Sequence, residues 1–296
     1  MIAVTGATGA LGRHVVETLI AQGHPADQVV AAVRTPARAQ DLADRGVVVR
    51  EADYDRPETL APALEGVSTL LLVSGSEVGR RVPQHTAVID AAVAAGVRHL
   101  VYTSAPRATT SSLVLAPEHK ATEEAVAASG LASTILRNGW YTENYLSTVL
   151  QARESGMIIG SVGDGLVASA SRDDFAEAAA VVLAEIETSA QSAHAGAVYE
   201  LAGDEAWDHP ALARAASEVL GRDVVYRDLD PAEHRAALLG AGLDEGTAGF
   251  LVALDGNIRG GDLAETSGDL ARLLGRPTTP LTEGLAAALA VAPAHS

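Results

Sequence analysis

The sequence contains no cysteine, and basic residues are scarce. Without cysteine there can be no disulfide bond, no thiolate nucleophile and no cysteine-ligated metal centre, and we predict no metal site. The 21 lysines and arginines face 38 aspartates and glutamates, which gives a formal net charge of −17. Such a charge opposes nonspecific attraction to nucleic acid and to anionic membranes, so we expect neither as a partner.

Long apolar runs are missing as well. No stretch approaches the roughly 18 apolar residues that a membrane span requires. The first apolar run, residues 1–4, leads straight into a glycine-rich turn and leaves no room for the basic and apolar regions of a signal peptide. These absences predict a cytoplasmic protein.

Short runs rich in valine and leucine alternate with amphipathic stretches, which is typical of a parallel sheet with helices on both faces. We predict an α/β protein, a Rossmann-type doubly wound parallel sheet with a smaller, mostly helical C-terminal substrate lobe. Residues 1–145 are the predicted dinucleotide-binding domain, and residues 146–296 are mainly the substrate lobe, with segments of about 168–202 returning to the sheet. With 296 residues, 48% of them apolar, the chain can bury a large core and a small one.

The element pattern changes between the two parts. The predicted strands of the first part are residues 2–5, 29–33, 47–51, 69–73, 100–103 and 133–136, with a helix over 83–95. The predicted helices of the second part are residues 174–187, 209–220, 231–239, 267–274 and 281–289, with short strands near 198–201 and 224–226. Residues 238–261 are glycine-rich and weakly periodic, and they fit a cover over a binding cleft and a plain surface excursion equally well.

A glycine-rich turn lies between the first predicted strand and the first helical pattern. It consists of Thr5, Gly6, Ala7, Thr8, Gly9, Ala10, Leu11 and Gly12. Its glycines let the backbone turn and approach a pyrophosphate, and the free N–H groups of the following helix attract that anion. A purely structural turn is the alternative, but the flanking strand and helix favour a dinucleotide site at residues 6–12.

The end of the second predicted strand indicates which dinucleotide binds. Enzymes that use NAD usually place an aspartate or glutamate there, about twenty residues past the glycines, but residues 29–40 contain no carboxylate. Arg34 and Arg38 occur instead, one helical turn apart, and would offer a 2′-phosphate two cations. We therefore predict NADP(H). The alternative is that both arginines are simply solvated at a strand end.

Ligands of such sheets bind beyond the carboxyl ends of the strands, so residues that follow the predicted strands are candidates. After the third strand, the Asp53 carboxylate could accept a hydrogen bond from the adenine amine, and the Tyr54 ring could cover the base. The later candidates are Ser74, Gly75 and Ser76, then Ser104, and finally Asn138, Gly139, Trp140 and Tyr141. Ordinary solvated loops are the alternative for all but the last block, which concentrates aromatics in a chain with few of them.

These motifs resemble a known family. The turn GATGALG, the Ala-Asp-Tyr of residues 52–54, the Ser-Glu-Val-Gly-Arg of residues 76–80 and the block LRNGWYTENY of residues 136–145 resemble the NmrA-like atypical short-chain dehydrogenases. Within them, the chain is similar to the zinc-independent NAD(P)H:quinone oxidoreductase type 2 group. The resemblance implies NADPH binding by residues 6–12, Arg34, residues 74–76 and residues 138–141, with quinones reduced in a cleft between the two lobes.

The chain departs from the main short-chain dehydrogenase pattern, in which a serine is followed by a Tyr-x-x-x-Lys pair on one helix. Ser104 is present, but His119 and Glu123 occupy the spacing of that pair. One helical turn apart, they could form a hydrogen bond, and Glu123 would then raise the pKa of His119 and make it a proton donor. The alternative is that His119 is a surface residue in the first turn of a helix.

Quinone reduction tolerates the missing tyrosine. The product is a stabilised phenolate, whose protonated form has a reference pKa near 10, so water can complete the reaction. The site then needs mainly proximity and orientation. We predict Tyr141 and Trp140 as the walls of a flat slot and Asn138 as the hydrogen-bond partner of the nicotinamide amide or of a quinone oxygen. The alternative function is a non-catalytic NADP(H)-binding redox sensor of the NmrA type, and either protein is compatible with a homodimer.

Overall fold

The computed structural model describes residues 1–188 and 194–291, and a seven-stranded parallel sheet forms the centre of this part of the chain. Its strands are β1 (Ile2–Thr5), β2 (Val29–Val33), β3 (Val48–Glu51), β4 (Thr69–Leu72), β5 (His99–Ser104), β6 (Ala132–Asn138) and β9 (Val198–Leu201). The spatial order is β3-β2-β1-β4-β5-β6-β9, and every neighbouring pair is parallel. The predicted Rossmann-type sheet is therefore confirmed.

Helices cover both faces of this sheet because its central strands are apolar on both sides; all five residues of β2, for example, are buried. One face carries α1 (Ala10–Ala21), α2 (Gln40–Asp44), α7 (Arg172–Thr188) and α11 (Asp269–Leu274). The other face carries α3 (Leu60–Ala63), α4 (Arg81–Ala95) and α5 (Ala116–Ala128). The strand order reverses between β1 and β4, and that reversal opens a crevice at the carboxyl edge of the sheet.

A smaller lobe has its own core around Tyr145 and Trp207. It contains α6 (Leu146–Ser155), β7 (Met157–Gly160), β8 (Leu166–Val167), β10 (Trp207–Asp208), α8 (His209–Leu220), β11 (Val225–Asp228), α9 (Pro231–Gly240), α10 (Glu245–Arg259) and α12 (Leu281–Val291). Strand β8 pairs antiparallel with β10, and β7 pairs parallel with β11. No described helix has the length and apolar character needed to cross a membrane.

The chain passes between the two parts more than once. Helix α7 packs against α1, and β9 completes the main sheet beside β6, so part of the predicted returning segment 168–202 joins the sheet. Residues 189–193 of that segment lie outside the described residues. The division into a domain of residues 1–145 and a lobe of residues 146–296 stays a prediction.

The segment 238–261, which allowed no assignment from the sequence, contains the end of α9 and all of α10. The Asp244 side chain caps α10 by accepting a hydrogen bond from the Thr247 N–H at 3.0 Å. Leu254 and Ile258 are buried in the core of the small lobe. The helical periodicity of this segment is weak because glycine and alanine lie between its larger apolar residues.

Candidate cofactor and active site

A groove of about 550 Å³ lies at the carboxyl edge of the sheet, where the strand order reverses. Its walls come from the glycine turn after β1, the end of β2 and the loops that follow β3 and β4. The predicted ligand-binding residues that line it are Gly6, Thr8, Gly9, Ala10, Leu11, Gly12, Arg34, Asp53, Tyr54, Ser74, Gly75, Ser76 and Tyr141. The fold thus brings residues far apart in the sequence to one cavity of the size that binds small molecules.

The glycine turn forms a close backbone cradle at the start of α1. A Cβ atom at Gly12 would lie 2.6 Å from the carbonyl oxygen of Gly6, and one at Gly9 would lie 3.1 Å from the same atom. Gly6 itself has a φ of +59°, which glycine adopts most readily. No described side chain caps the N-terminus of α1, so its first N–H groups are available to an anion. These features fit a bound pyrophosphate.

The adenosine end of the groove is charged. Arg34 and Arg38 both line it, and the Arg34 side chain is 66% exposed. Asp53 lies on the facing side and accepts a hydrogen bond from the N–H of Asp55 at 3.1 Å. The Glu77 carboxylate lies 3.8 Å from the Arg34 guanidinium, across the mouth of the groove. Sequence reasoning did not single out Glu77, although it lies within the 76–80 motif.

Two buried side chains hold the loop that follows β4. The N–H of Gly75 donates to Nε2 of His85 at 2.9 Å, and Nε of Arg81 donates to the carbonyl oxygen of Gly75 at 2.6 Å. Because Nε2 accepts, Nδ1 carries the proton and donates to the Thr122 hydroxyl at 2.9 Å. Burial, and then the nearby Arg81, lower the pKa of His85 to about 4, which keeps it a neutral acceptor at neutral pH. The sequence did not predict a role for His85 or Arg81. The signal that could have revealed them is the presence of these polar side chains on the buried face of α4.

The inner end of the groove is lined by the half-buried side chains of Tyr141 and Arg172, and Asn138 contacts Tyr141 but does not itself line the groove. The Asn138 amide nitrogen donates to the Tyr141 hydroxyl at 3.2 Å, whereas its buried carbonyl oxygen has no hydrogen-bond partner within the described part of the chain. Such an oxygen calls for a donor, and no described group of the chain supplies one. The ring of Tyr141 packs edge-on against Phe175, and the Arg172 guanidinium lies 5.1 Å from its centroid. Burial raises the pKa of Tyr141.

Several predicted residues do not line this groove. Ala7 is fully buried, and Ser104 is 4% exposed and donates to Glu123. Gly139 packs against β9, with its N–H 2.7 Å from the carbonyl oxygen of Leu201. Trp140 faces a neighbouring cavity of about 20 Å³ beside residues 262–267. Of the two predicted slot walls, Tyr141 borders the groove and Trp140 borders that smaller cavity.

The predicted pairing of His119 with Glu123 is wrong. Nδ1 of His119 lies 2.8 Å from the Tyr102 hydroxyl, and the side chain is buried rather than on the surface. Burial is the main reason that the pKa of His119 falls to about 3, which is opposite to the predicted direction. Glu123 instead accepts from the Ser104 hydroxyl at 2.6 Å and from Arg137 at 2.7 and 2.9 Å. Arg137 lies on β6, next to the strand β5 that carries Ser104, and its long side chain reaches the Glu123 carboxylate in place of His119.

The chain matches the family described as NAD(P)H-binding over residues 6–186. It belongs to that family. It is also 50% identical over 285 residues to Quinone oxidoreductase 2 of Escherichia coli, which covers 96% of this chain and 97% of that protein.

A second relative is the NmrA-like family domain-containing oxidoreductase flvB of Aspergillus flavus, 32% identical over 94% of this chain and 91% of that protein. Among solved structures, this NAD(P)H-binding chain is similar to the NADPH-dependent quinone oxidoreductase QOR2 of Escherichia coli in complex with NADPH. The TM-score is 0.91 at 48% identity, and the match covers 98% of this chain and 100% of that chain. The predicted resemblance to NmrA-like proteins and to quinone oxidoreductases is confirmed.

Proposed function

We propose that the protein is an NADPH-dependent reductase that transfers a hydride to a quinone. The observation that carries the proposal is one groove that joins an uncapped helix N-terminus, two arginines and an inner end lined by the ring of Tyr141. The relative named Quinone oxidoreductase 2 matches nearly the whole chain at 50% identity, which supports the same reaction here.

The residues along the groove fit the parts of NADPH in order. The N-terminus of α1 would hold the pyrophosphate, with residues 74–76 beside the riboses. Arg34 and Arg38 would neutralise the 2′-phosphate, and Asp53 and Tyr54 would contact the adenine. At the other end, Asn138, which contacts the groove residue Tyr141, is the predicted hydrogen-bond partner of the nicotinamide carboxamide or of a quinone oxygen.

Bound NADPH supplies the hydride, and the chain supplies position. Tyr141 would form one wall of the quinone slot, held against Phe175 and beneath Arg172. We infer that water, rather than His119, delivers the proton, because His119 is buried against Tyr102 and stays neutral above about pH 3. A phenolate product tolerates this arrangement, since its pKa near 10 makes it a weak base compared with an alkoxide.

The second candidate is a non-catalytic NADP(H)-binding redox sensor, favoured by the absence of the Tyr-x-x-x-Lys pair and by the burial of His119. The experiment that separates the two follows the near-ultraviolet absorbance of NADPH with the purified protein and a panel of a benzoquinone, a naphthoquinone and an aliphatic ketone. We expect quinone-dependent oxidation of NADPH and none with the ketone. Tight binding of NADPH with no oxidation above the uncatalysed rate for any quinone would establish the sensor instead.

Two further properties stay predictions. We infer a cytoplasmic location, because the chemistry uses a cytoplasmic cofactor pool and the chain has no cysteine that an oxidising compartment would pair. A homodimer is compatible with the proposed function, and sedimentation equilibrium of the purified chain would determine its oligomeric state.

A further inference from the structure

The arginine that would receive the 2′-phosphate already faces a carboxylate. Nη1 of Arg34 lies 3.8 Å from Oε1 of Glu77, which projects from the opposite wall of the groove. Arg34 follows β2 and Glu77 follows β4, so this ion pair spans the mouth through which the adenosine half would enter. A phosphate bound to Arg34 would therefore lie close to the Glu77 carboxylate.

Glu77 does not depend on Arg34 for its position. Its other carboxylate oxygen, Oε2, accepts from Nη1 of Arg80 at 3.1 Å and lies 3.4 Å from the amide nitrogen of Gln84. Arg80 and Gln84 are themselves held by Asp55, at 2.8 and 3.1 Å. When Arg34 turns to a phosphate, these contacts keep the Glu77 carboxylate at the rim.

The backbone around Glu77 is also anchored on both sides. Gly75 is held by His85 and Arg81, as described above, and the N–H of Gly79 donates to Oε1 of Glu118 at 3.0 Å. His85 and Arg81 are buried on α4, and Glu118 is half-buried on α5. The loop is therefore attached at two points, and the negative charge of Glu77 cannot move far from the groove without breaking one of them.

We propose that Glu77 is a specificity-determining residue that weakens the preference of the groove for NADPH over NADH. The inference rests on the proposed function only in that the dinucleotide occupies this groove. A 2′-phosphate carries a charge of about −1.5 to −2 and would be repelled by the carboxylate. The ribose 2′-hydroxyl of NADH is instead a neutral donor that the carboxylate can accept. Enzymes that use NAD place such an acceptor at the end of the second strand, and here the opposite wall supplies it.

The size of the effect follows from the exposure of the pair. The Glu77 side chain is 40% exposed and that of Arg34 66%, so solvent and salt screen the interaction, and exposed pairs contribute about 0.2–1 kcal/mol. Removing the charge of Glu77 should therefore tighten binding of the phosphorylated cofactor by a factor of about 1.4 to 5. A neutral acceptor in place of the carboxylate makes a weaker hydrogen bond to the 2′-hydroxyl, so the unphosphorylated cofactor should bind about twofold or more weakly.

Calorimetric titration of the full chain with NADP⁺ and with NAD⁺, and no quinone, tests this inference. Glu77→Gln keeps the shape of the side chain, and we expect the ratio of the NAD⁺ to the NADP⁺ dissociation constant to rise about three- to tenfold. Glu58→Gln is the matched control, because Glu58 is an exposed glutamate paired with an arginine, Arg56, outside the groove. It should leave both constants unchanged. The NADP⁺ gain should shrink as salt is raised, because screening removes the repulsion.

An unchanged or lower ratio in Glu77→Gln would overturn the proposal, and so would a wild-type chain that binds neither dinucleotide. Weaker NADP⁺ binding in the variant would show instead that Glu77 helps by orienting Arg34. Because only oxidised cofactors are used, a chain that binds NADP⁺ but reduces no quinone would contradict the proposed function and leave this test intact.

Discussion

The two ends of the groove are built in opposite ways. The adenosine end is charged and open, and its groups belong to short segments that directly follow β1 to β4. The inner end is half-buried, and its lining side chains are held by partners distant in sequence, Phe175 against Tyr141 and Asn144 against Arg172. We infer from this difference that the first end governs how tightly the cofactor binds, whereas the second governs how its reacting ring is oriented.

This division implies that substitutions at the two ends should change different constants. At the adenosine end, backbone N–H groups and arginines meet fixed charges of the cofactor, so losses should appear in the dissociation constant. At the inner end, one amide and one aromatic ring position a neutral group, so losses should appear in turnover. Substitutions at Gly12 and Arg34, and at Asn138 and Tyr141, test that separation.

The largest effect is expected for Gly12→Ala. The added Cβ would lie 2.6 Å from the carbonyl oxygen of Gly6 and 3.0 Å from that of Thr5, and backbone atoms cannot yield cheaply. The glycine turn must then shift, which would weaken the hydrogen bonds from its N–H groups to the pyrophosphate. Charge-assisted hydrogen bonds contribute about 1.5–3 kcal/mol, so we expect the dissociation constant for NADPH to rise about a hundredfold, measured by calorimetry.

Gly249→Ala is the matched control, because a Cβ at this helical position in α10 would meet nothing within 4 Å. It should bind NADPH normally and gain about 0.5–1 kcal/mol of stability from the higher helix propensity of alanine. Normal NADPH binding by Gly12→Ala would contradict the close approach of the turn to the pyrophosphate.

A smaller effect is expected for Arg34→Ala. Charge-assisted hydrogen bonds contribute about 1.5–3 kcal/mol, so NADPH should bind about ten- to a hundredfold more weakly while NADH changes little. Arg56→Ala is the control, since Arg56 is also exposed but pairs with Glu51 and Glu58 away from the groove. Equal losses for NADPH and NADH would refute the cofactor assignment.

The same division explains how much could be predicted from the sequence. The strands of the sheet, the glycine turn and Arg34 were recognisable because each depends on local pattern: a short apolar run, closely spaced glycines, and a missing carboxylate after a strand. The predicted fold is confirmed because both faces of a parallel sheet must be covered, which leaves a continuous apolar signal in β2 and its neighbours.

The inner end and its supports could not be read in this way. Helical spacing paired His119 with Glu123, but the real partners are Tyr102 and Arg137, which lie on strands β5 and β6. Likewise, His85 and Arg81 hold the loop after β4 through hydrogen bonds to its backbone. Local spacing does not encode these contacts, because they depend on how α4 and α5 are placed against the sheet.

At the inner end, Asn138→Ala should lower the turnover number with a quinone about tenfold, because it removes one oriented hydrogen bond to the nicotinamide. The dissociation constant for NADP⁺ should change less than threefold, or about 0.6 kcal/mol. Tyr141→Phe, which keeps the ring but removes the hydroxyl that accepts from Asn138, should have a smaller effect on turnover. Steady-state rates at saturating NADPH would test both variants. A loss of cofactor affinity as large as that of Arg34→Ala would break the separation between the two ends.

The smallest effect on rate is expected for His119→Gln. Its folded pKa of about 3 lies below the reference value of 6.5, so protonation favours the unfolded chain. The contribution of neutral His119 to stability is thus complete above about pH 6.5 and is lost as the pH falls toward 3. The free energy of unfolding, measured in urea, should therefore fall by about 2 kcal/mol less between pH 7 and pH 5 in His119→Gln than in the parent protein. Its quinone reductase rate should stay within about threefold; a loss approaching a thousandfold with NADP⁺ affinity intact would make His119 a general acid after all.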